Sequence, residues 1–204
     1  MSMVNTIERR RRAGGERRQR VRDAVVEVLA ERGYQGTRFR DVAAASGVAV
    51  STLQTYFGSR EDMLVEALCE ATEAEAAALR EAADAVPDPW ERLVRLIDRG
   101  LATPVPVWRT LMEFWTAAAH DAELRAHSLT LQRAYREPFE RVIGDGLASG
   151  AFRAGHDASV VTDLIVACLD GLLYPRVLGQ PHPRTGPLRE LLLDQLRHTL
   201  GVAQ

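Results

Sequence analysis

The sequence has few cysteines, no lysine and no long apolar run, and these shortages exclude several classes of protein. Its two cysteines, Cys69 and Cys168, lie about a hundred residues apart, which excludes a disulfide scaffold and a cysteine zinc site. All 26 lysine-or-arginine positions are arginine, a bias that we attribute mainly to the base composition of a GC-rich genome. No apolar stretch reaches the ~18 residues of a membrane span, since the run over 164–169 ends at Asp170. The first residues include no apolar core, so we expect no signal peptide and a cytoplasmic protein without a membrane partner.

The sequence contains no motif of an enzyme or a cofactor site. It has no nucleophile elbow, P-loop or dinucleotide-binding glycine motif. His120, Asp121, Glu123 and His127 lie within two helical turns, but the two histidines are seven residues apart and form no H-E-x-x-H pattern. We therefore expect a protein that is not an enzyme and that holds neither a metal ion nor a cofactor.

The charge is divided unevenly along the chain. Residues 1–60 hold twelve arginines and six acidic residues, whereas residues 61–204 hold fourteen arginines and twenty-two acidic residues. A basic head on an acidic body indicates that the head meets a polyanion. The densest basic run begins at Arg9–Arg12 and is interrupted by Gly14 and Gly15, so residues 1–15 are predicted to be a flexible basic arm.

Apolar residues recur at helical spacing almost throughout, and no segment alternates as a strand does. Residues 21–29 place four apolar side chains on one helical face, and Gly33 is the predicted end of that helix. The pattern predicts an all-α fold of about nine helices. We expect a three-helix DNA-binding domain over residues 16–62 and a helical bundle for ligand binding and dimerisation over residues 63–204.

Three polar residues are predicted to begin helices. Thr37 stands before the second helix, and Ser59 begins an S-x-x-D capping pattern that ends at Asp62. Asp157 precedes a strongly apolar helix that is predicted to reach about Leu178.

Residues 38–57 have the plan of a helix-turn-helix motif, two short helices joined by a turn at Gly47. The outer face of the second helix bears small or amide side chains, which suit a major groove about 12 Å wide. Gln54 on this face can form a bidentate pair with adenine. Arg60 lies in the first turn of the next helix, where a cation is unfavourable unless a phosphate binds there. The predicted core of the motif consists of Val42, Ala43, Val48, Leu53 and Phe57.

This region resembles the N-terminal signature of TetR-family transcriptional regulators over about residues 17–64. The resemblance implies an all-α homodimer that binds a palindromic DNA operator and that is usually a repressor released by a small molecule. It also implies phosphate contacts from Thr37, Tyr56 and Arg60 and a recognition helix over residues 50–55. The matching residues are Gly33-Tyr34, Thr37, Arg40-Asp41-Val42-Ala43, Ser46-Gly47-Val48, Thr52-Leu53, Tyr56-Phe57 and Ser59-Arg60-Glu61-Asp62-Met63-Leu64.

The chain departs from the family pattern at Ala49, Ser51, Gln54 and Arg60, where the family often has Ser, a smaller residue, Tyr and Lys. The loss of serine weakens the cap of the recognition helix, and Gln54 exchanges a phosphate contact for a base contact. The operator sequence therefore does not carry over from the family. The predicted DNA contacts are Thr37, Arg38, Arg40, Val50, Ser51, Thr52, Gln54, Thr55, Tyr56 and Arg60.

The C-terminal part resembles the family in pattern only, which implies a sensor domain for an unidentified small molecule. Aromatic and soft side chains between bundle helices line apolar pockets, although at helical spacing they also serve as ordinary core. Both interpretations stay open, as does a cation stacked on aromatic faces near Glu113 or Asp170. The predicted ligand-binding residues are Trp108, Met112, Trp115 and Tyr135.

The apolar helices over 157–178 and 188–200 carry more apolar surface than one small domain is expected to bury. They predict a four-helix contact between two copies of the chain, with packing inside one monomer as the alternative. The predicted interface residues are Val161, Leu164, Ile165, Cys168, Leu172, Leu192 and Leu196.

Two functions are compatible with these observations. The first is a repressor that binds a palindromic DNA operator as a homodimer and is released by a small apolar or amphipathic ligand. The second is an all-α small-molecule-binding or scaffold protein whose basic arm contacts nucleic acid or a membrane without sequence preference. Binding to one short palindrome in excess random DNA distinguishes the first from the second.

Overall fold

A computed structural model of the chain describes residues 3–153 and 155–202, with side chains described for residue 15 and from residue 17 onward. These residues form ten helices and no strand, which confirms the all-α prediction. The helices are α1 (Met3–Gly36), α2 (Phe39–Ser46), α3 (Val50–Phe57), α4 (Arg60–Asp84), α5 (Pro89–Leu101), α6 (Val105–Ala118), α7 (Ala122–Ala148), α8 (Ala158–Asp170), α9 (Leu173–Val177) and α10 (Thr185–Leu200).

The chain divides into two compact units, Met1–Ala71 and Thr72–Gln204. The boundary lies within α4, so this helix contributes its first turns to one unit and its last turns to the other. The boundary predicted from the sequence is earlier, at residue 62, because a capping pattern marks where a helix begins and not where the packing divides. The functions assigned to the two units there stay predictions.

Helix α1 begins at Met3 and includes residues 3–15, which the sequence analysis expected to form a flexible arm. Glycine lowers helix stability by about 1 kcal/mol relative to alanine, and here Gly14 and Gly15 do not end the helix. The mobility of this segment stays a prediction. Gly33 has φ 72° and ψ 173°, so it kinks the helix, which resumes and ends at Gly36.

The first unit is built around apolar residues of its four helices. Val25 of α1, Val42 of α2 and Leu53 of α3 are fully buried, as predicted from their spacing. Gly47 joins α2 to α3 with φ 68°, a conformation that a side chain disfavours, and its N–H donates to the carbonyl of Ala43 at 3.0 Å. This turn fixes α3 with one face on the core and the opposite face outward.

The predicted helix caps have three different outcomes. The Ser59–Asp62 pattern is confirmed, because Ser59 Oγ accepts from the Asp62 N–H at 2.9 Å. Thr37 does not cap α2; it is fully buried, and its hydroxyl donates to the carbonyl of Gly33 at 2.8 Å. The backbone N–H of Arg38 instead bonds Asp41 Oδ2 at 3.0 Å at the start of α2. Asp157 precedes α8 as predicted, but its side chain makes no cap hydrogen bond.

The second unit is a helical bundle with a continuous apolar core. The core takes side chains from the last turns of α4 and from α5, α7, α8 and α10. Members that are fully buried include Leu79, Leu93, Phe139, Ile165 and Leu196. Ion pairs surround this core, such as Arg99 to Glu75 at 2.5 Å and Arg92 to Asp145 at 3.1 Å.

Residues 158–177 are long and apolar enough, by length and composition, to cross a membrane, which the sequence analysis did not expect. The expectation counted uninterrupted apolar residues, whereas an average over the segment tolerates an interruption such as Asp170. The core helix of a folded domain meets the same criteria, and Val161 and Leu169 pack into the core of their unit. The chain turns through Gly171 before α9, so the predicted helix over 157–178 is divided in two.

Candidate functional sites

Helix α3 presents a polar face to solvent, and its apolar face packs in the core of the first unit. Leu53 is fully buried and Phe57 is 7% exposed, so the anchor is fixed. Among the predicted contact residues, Thr52 and Tyr56 are half-buried. The others on this helix are exposed, namely Val50, Ser51, Gln54 and Thr55. The outward positions are those that the sequence predicted, and their contacts with DNA stay a prediction.

Among the exposed side chains of α3, that of Gln54 is the longest polar one. The hydroxyl of Thr55 donates to the carbonyl of Ser51 at 2.9 Å, so its hydrogen is directed to its own helix. Ala49 precedes α3 and supplies no side-chain cap, as the departure from the family pattern implied. A short helix with small residues around one amide fits a DNA major groove and can form a bidentate contact with adenine.

Arg60 does not project freely from α4, contrary to the sequence expectation. Its Nε donates to the carbonyl of Thr37 at 2.7 Å, and its Nη2 donates to the carbonyl of Tyr34. Its Nη1 pairs with Glu61 at 2.9 Å, and its guanidinium lies 5.3 Å from the centre of the Tyr34 ring. Only 18% of its side chain is exposed. Arg60 therefore fastens the start of α4 to the end of α1 and to Thr37, which follows it.

The remaining predicted phosphate contacts differ in how available they are. Arg40 has 82% of its side chain exposed and only a 3.9 Å ion pair with Asp41. Arg38 is exposed, but its Nη1 donates to the carbonyl of Gln35 at 2.6 Å. Thr37 has no exposed surface, so we withdraw it as a side-chain contact. Sequence patterns could not show this, because burial depends on how the helices pack and not on the residues beside Thr37 in sequence.

The predicted ligand-binding residues lie at two places in the second unit. Trp108, Met112 and Trp115 follow one another on α6, where Trp108 is 4% exposed and Trp115 is 36% exposed. Tyr135 lies on α7, with its ring 5.8 Å from that of Phe139. Neither the indole N–H of Trp108 nor the hydroxyl of Tyr135, both buried, has a hydrogen-bond partner among the described residues. Buried polar groups are usually paired, so an unpaired one suggests an unseen partner.

Tyr135 is the most strongly perturbed titratable group of the second unit. Burial, and then the carboxylates of Asp170 and Glu75, raise the pKa of the Tyr135 hydroxyl well above its ordinary value. Burial also raises the pKa of Asp170, although that residue reaches the surface. Gly100 lies against the Tyr135 hydroxyl, and a β-carbon there would crowd it at 2.9 Å. Asp170 is a candidate on the sequence alone, whereas Gly100 is not, since nothing local distinguishes this glycine.

Five of the seven predicted interface residues lie in the core of the second unit, so their assignment to a dimer contact is wrong. They are Val161, Ile165, Leu172, Leu192 and Leu196, all at most 5% exposed. Leu164 is 43% exposed and Cys168 is half-buried, so these two keep an outward position. Helix α8 is apolar on both faces, and the sequence alone could not tell which face the bundle buries.

Among the described residues, no three histidine, cysteine, aspartate or glutamate side chains come together to hold a metal ion. The segment from His120 to His127 therefore gathers no metal-ligand cluster.

Two short helices joined at Gly47, the second with its polar face outward, have the geometry of a helix-turn-helix unit, and a separate helical bundle follows it. Two family models match the chain. Residues 21–67 match the model of bacterial regulatory proteins of the tetR family, and residues 89–201 match the C-terminal model of BetI-type transcriptional repressors. The chain belongs to the TetR family and is a DNA-binding transcriptional regulator, which confirms the resemblance.

Relatives and solved structures agree with this membership. The chain is 26% identical to the fatty acid metabolism regulator protein of Bacillus subtilis over 159 residues, 72% of this chain and 77% of the relative. It is 40% identical to the transcriptional repressor KstR of Mycolicibacterium smegmatis over 78 residues, 38% of each chain. A regulator from Saccharomonospora viridis, solved in complex with choline, has a TM-score of 0.77 and 26% identity, covering 91% of this chain and 98% of that one.

Proposed function

We propose that the protein is a homodimeric repressor that binds a palindromic DNA operator through α3 and leaves it when a small organic cation binds the second unit. The outward polar face of α3, fixed by the buried Leu53, carries the DNA part of this proposal. Gln54 reads a base edge, and Arg40 contacts phosphate. Such a regulator acts where the DNA is, in the cytoplasm, and needs no catalytic chemistry.

A second copy of the chain would cover the exposed apolar residues of α8 and of α10. Val160 and Leu164, one turn apart on α8, are 51% and 43% exposed, and Leu191 of α10 is 56% exposed. Exposed apolar surface of this kind marks interaction sites. A symmetric pair presents two α3 helices to half-sites about 34–36 Å apart. Leu164→Glu is expected to give a monomer in sedimentation.

The charges of the second unit favour a cationic effector over a polyanionic one. Residues 72–204 hold eighteen acidic residues and fourteen arginines. An acyl-CoA bears several phosphate charges and needs available cations, whereas a quaternary ammonium is bound by aromatic faces and carboxylates. Six of the arginines are already paired with carboxylates, namely Arg80, Arg92, Arg99, Arg136, Arg141 and Arg189.

Two solved relatives provide the matching probes. The regulator FadR from Bacillus subtilis was solved with stearoyl-CoA, at 22% identity and a TM-score of 0.65 over 91% of this chain and 99% of that one. The Saccharomonospora viridis regulator was solved with choline. We assign the polar end of the effector site to the Tyr135 hydroxyl, which can bond a ligand hydroxyl, and to the Asp170 carboxylate, which can attract a cation.

The experiment begins with an operator selected from a pool of random palindromes. Its release from the protein is followed by fluorescence anisotropy on adding choline, tetramethylammonium or stearoyl-CoA. We expect release by choline, weaker release by tetramethylammonium, which lacks the hydroxyl, and none by stearoyl-CoA. Release by stearoyl-CoA alone would overturn the cationic class. Equal affinity for random and palindromic DNA would instead support the scaffold hypothesis.

A further inference from the structure

Four charged residues of the first unit form a connected ion-pair cluster between α1 and α4. Arg18 Nη2 donates to both carboxylate oxygens of Glu66, at 3.0 and 3.1 Å. Arg22 lies one turn further along α1, and it pairs with Glu66 at 3.3 Å and with Glu70 at 2.5 Å. We name these four residues the α1–α4 clamp.

The clamp also contacts the reading helix. The guanidinium carbon of Arg18 lies 5.8 Å from the centre of the Phe57 ring, within the range of a cation–π contact. Phe57 is the last residue of α3 and one of its two buried anchors. Arg18 therefore joins α1 and α4 and also rests on the end of the helix that faces DNA.

The α1–α4 clamp restricts the geometry of the two helices more than an isolated surface ion pair does. Isolated exposed pairs contribute little, whereas a network in which each arginine meets more than one group restricts geometry. The side chains of Arg22 and Glu66 are 24% and 35% exposed, so solvent screens them only in part. Arg60 holds the first turn of α4 to Tyr34 and Thr37, and the clamp holds the next two turns to α1. The first three turns of α4 are thus fixed to α1 and to Thr37.

We infer that the α1–α4 clamp positions the reading helix on α4 and thereby determines which half-site spacing the dimer accepts. The inference rests on the proposed dimer and its palindromic operator. Adding one base pair between half-sites moves them apart by 3.4 Å and rotates them by about a tenth of a turn. If α1–α3 are held rigidly on α4, the protein loses contacts with such an operator. If they are held loosely, they can turn and recover those contacts.

The experiment compares the wild-type full chain with a variant that carries Glu66→Gln and Glu70→Gln. Glu73→Gln is the matched control, because Glu73 lies on the same helix and pairs with Arg80 in the other unit at 3.0 Å. Affinities are measured for the selected operator and for versions with one base pair added or removed between half-sites. We expect the preference for the selected spacing to fall roughly 2- to 30-fold in the double variant and to be unchanged in the control. The ratio of affinities is used because freed arginines raise binding to every operator alike.

Hydrogen exchange of the same proteins tests the clamp without DNA. The double variant is expected to exchange faster over residues 60–70 and 17–25, and unchanged over residues 79–84. If the double variant unfolds, Glu70→Gln alone, which removes one Arg22 contact, is taken through the same measurements. An unchanged spacing preference in a variant with faster exchange would overturn the role in specificity, and unchanged exchange would overturn the clamp itself. A wild-type protein that prefers no palindrome refutes the proposed function instead, and the exchange result still decides whether the clamp exists.

Discussion

Replacing Tyr135 by phenylalanine is expected to stabilise the protein and at the same time weaken its response to choline. The Tyr135 hydroxyl is buried and has no partner among the described residues, and burial raises its pKa. An unpaired buried hydroxyl costs about 1–3 kcal/mol of desolvation, and phenylalanine of the same shape removes that cost. A buried polar group without a partner in the fold is therefore a candidate ligand contact.

The expected change in stability follows from the burial of the Tyr135 hydroxyl. We expect the free energy of unfolding of the second unit to rise by about 1 kcal/mol, which raises its Tm by about 2–4 °C for a chain of this length. The loss of one hydrogen bond to a bound ligand hydroxyl is expected to weaken choline binding roughly 2- to 12-fold. Tetramethylammonium has no hydroxyl, and its affinity is expected to stay the same.

The assay combines calorimetric unfolding with titration of both ligands into wild type and variant. Tyr174→Phe is the control, because Tyr174 is 51% exposed in the folded protein. A loss of 1 kcal/mol or more in Tyr135→Phe would refute the reasoning, because it would mean that the hydroxyl is bonded inside the fold. Equal loss of affinity for choline and tetramethylammonium would refute the assigned ligand contact.

Three further predictions concern packing and DNA binding. Gly146→Ala places a β-carbon 2.2 Å from the nearest carbon of the Phe152 ring, and it is expected to cost about 1–2 kcal/mol in urea unfolding. Gly144→Ala on the same helix meets open space and should add about 1 kcal/mol. Gln54→Ala is expected to cost about 1–3 kcal/mol at one operator base and leave the fold intact; unchanged base preference in a binding-site selection would contradict its role. Arg60→Ala is expected to lower the stability of the first unit without changing the salt dependence of operator binding, because the Arg60 donors are used within the protein. A salt-dependence slope lower by about one ion would instead show that Arg60 contacts a phosphate.

The sequence was sufficient for features that depend on neighbours along the chain. Helical spacing, the capping pair Ser59 and Asp62, and the turn at Gly47 are local, and the structure confirms them because a helix satisfies its own backbone hydrogen bonds. The outward face of α3 was predictable for the same reason, since Leu53 and Phe57 show which side is anchored.

Only the tertiary structure decided where each helix face lies against another helix. Helix α8 carries apolar side chains on more than one face, so whether Val161 or Leu164 faces the core depends on how α5 and α7 pack against it. The sequence predicts that Arg60 contacts phosphate, yet the fold places the carbonyls of Tyr34, near the end of α1, and of Thr37 within reach of its guanidinium. The unpaired hydroxyl of Tyr135 is likewise a property of the assembled bundle, because desolvation depends on all surrounding atoms and not on the residues beside it in sequence.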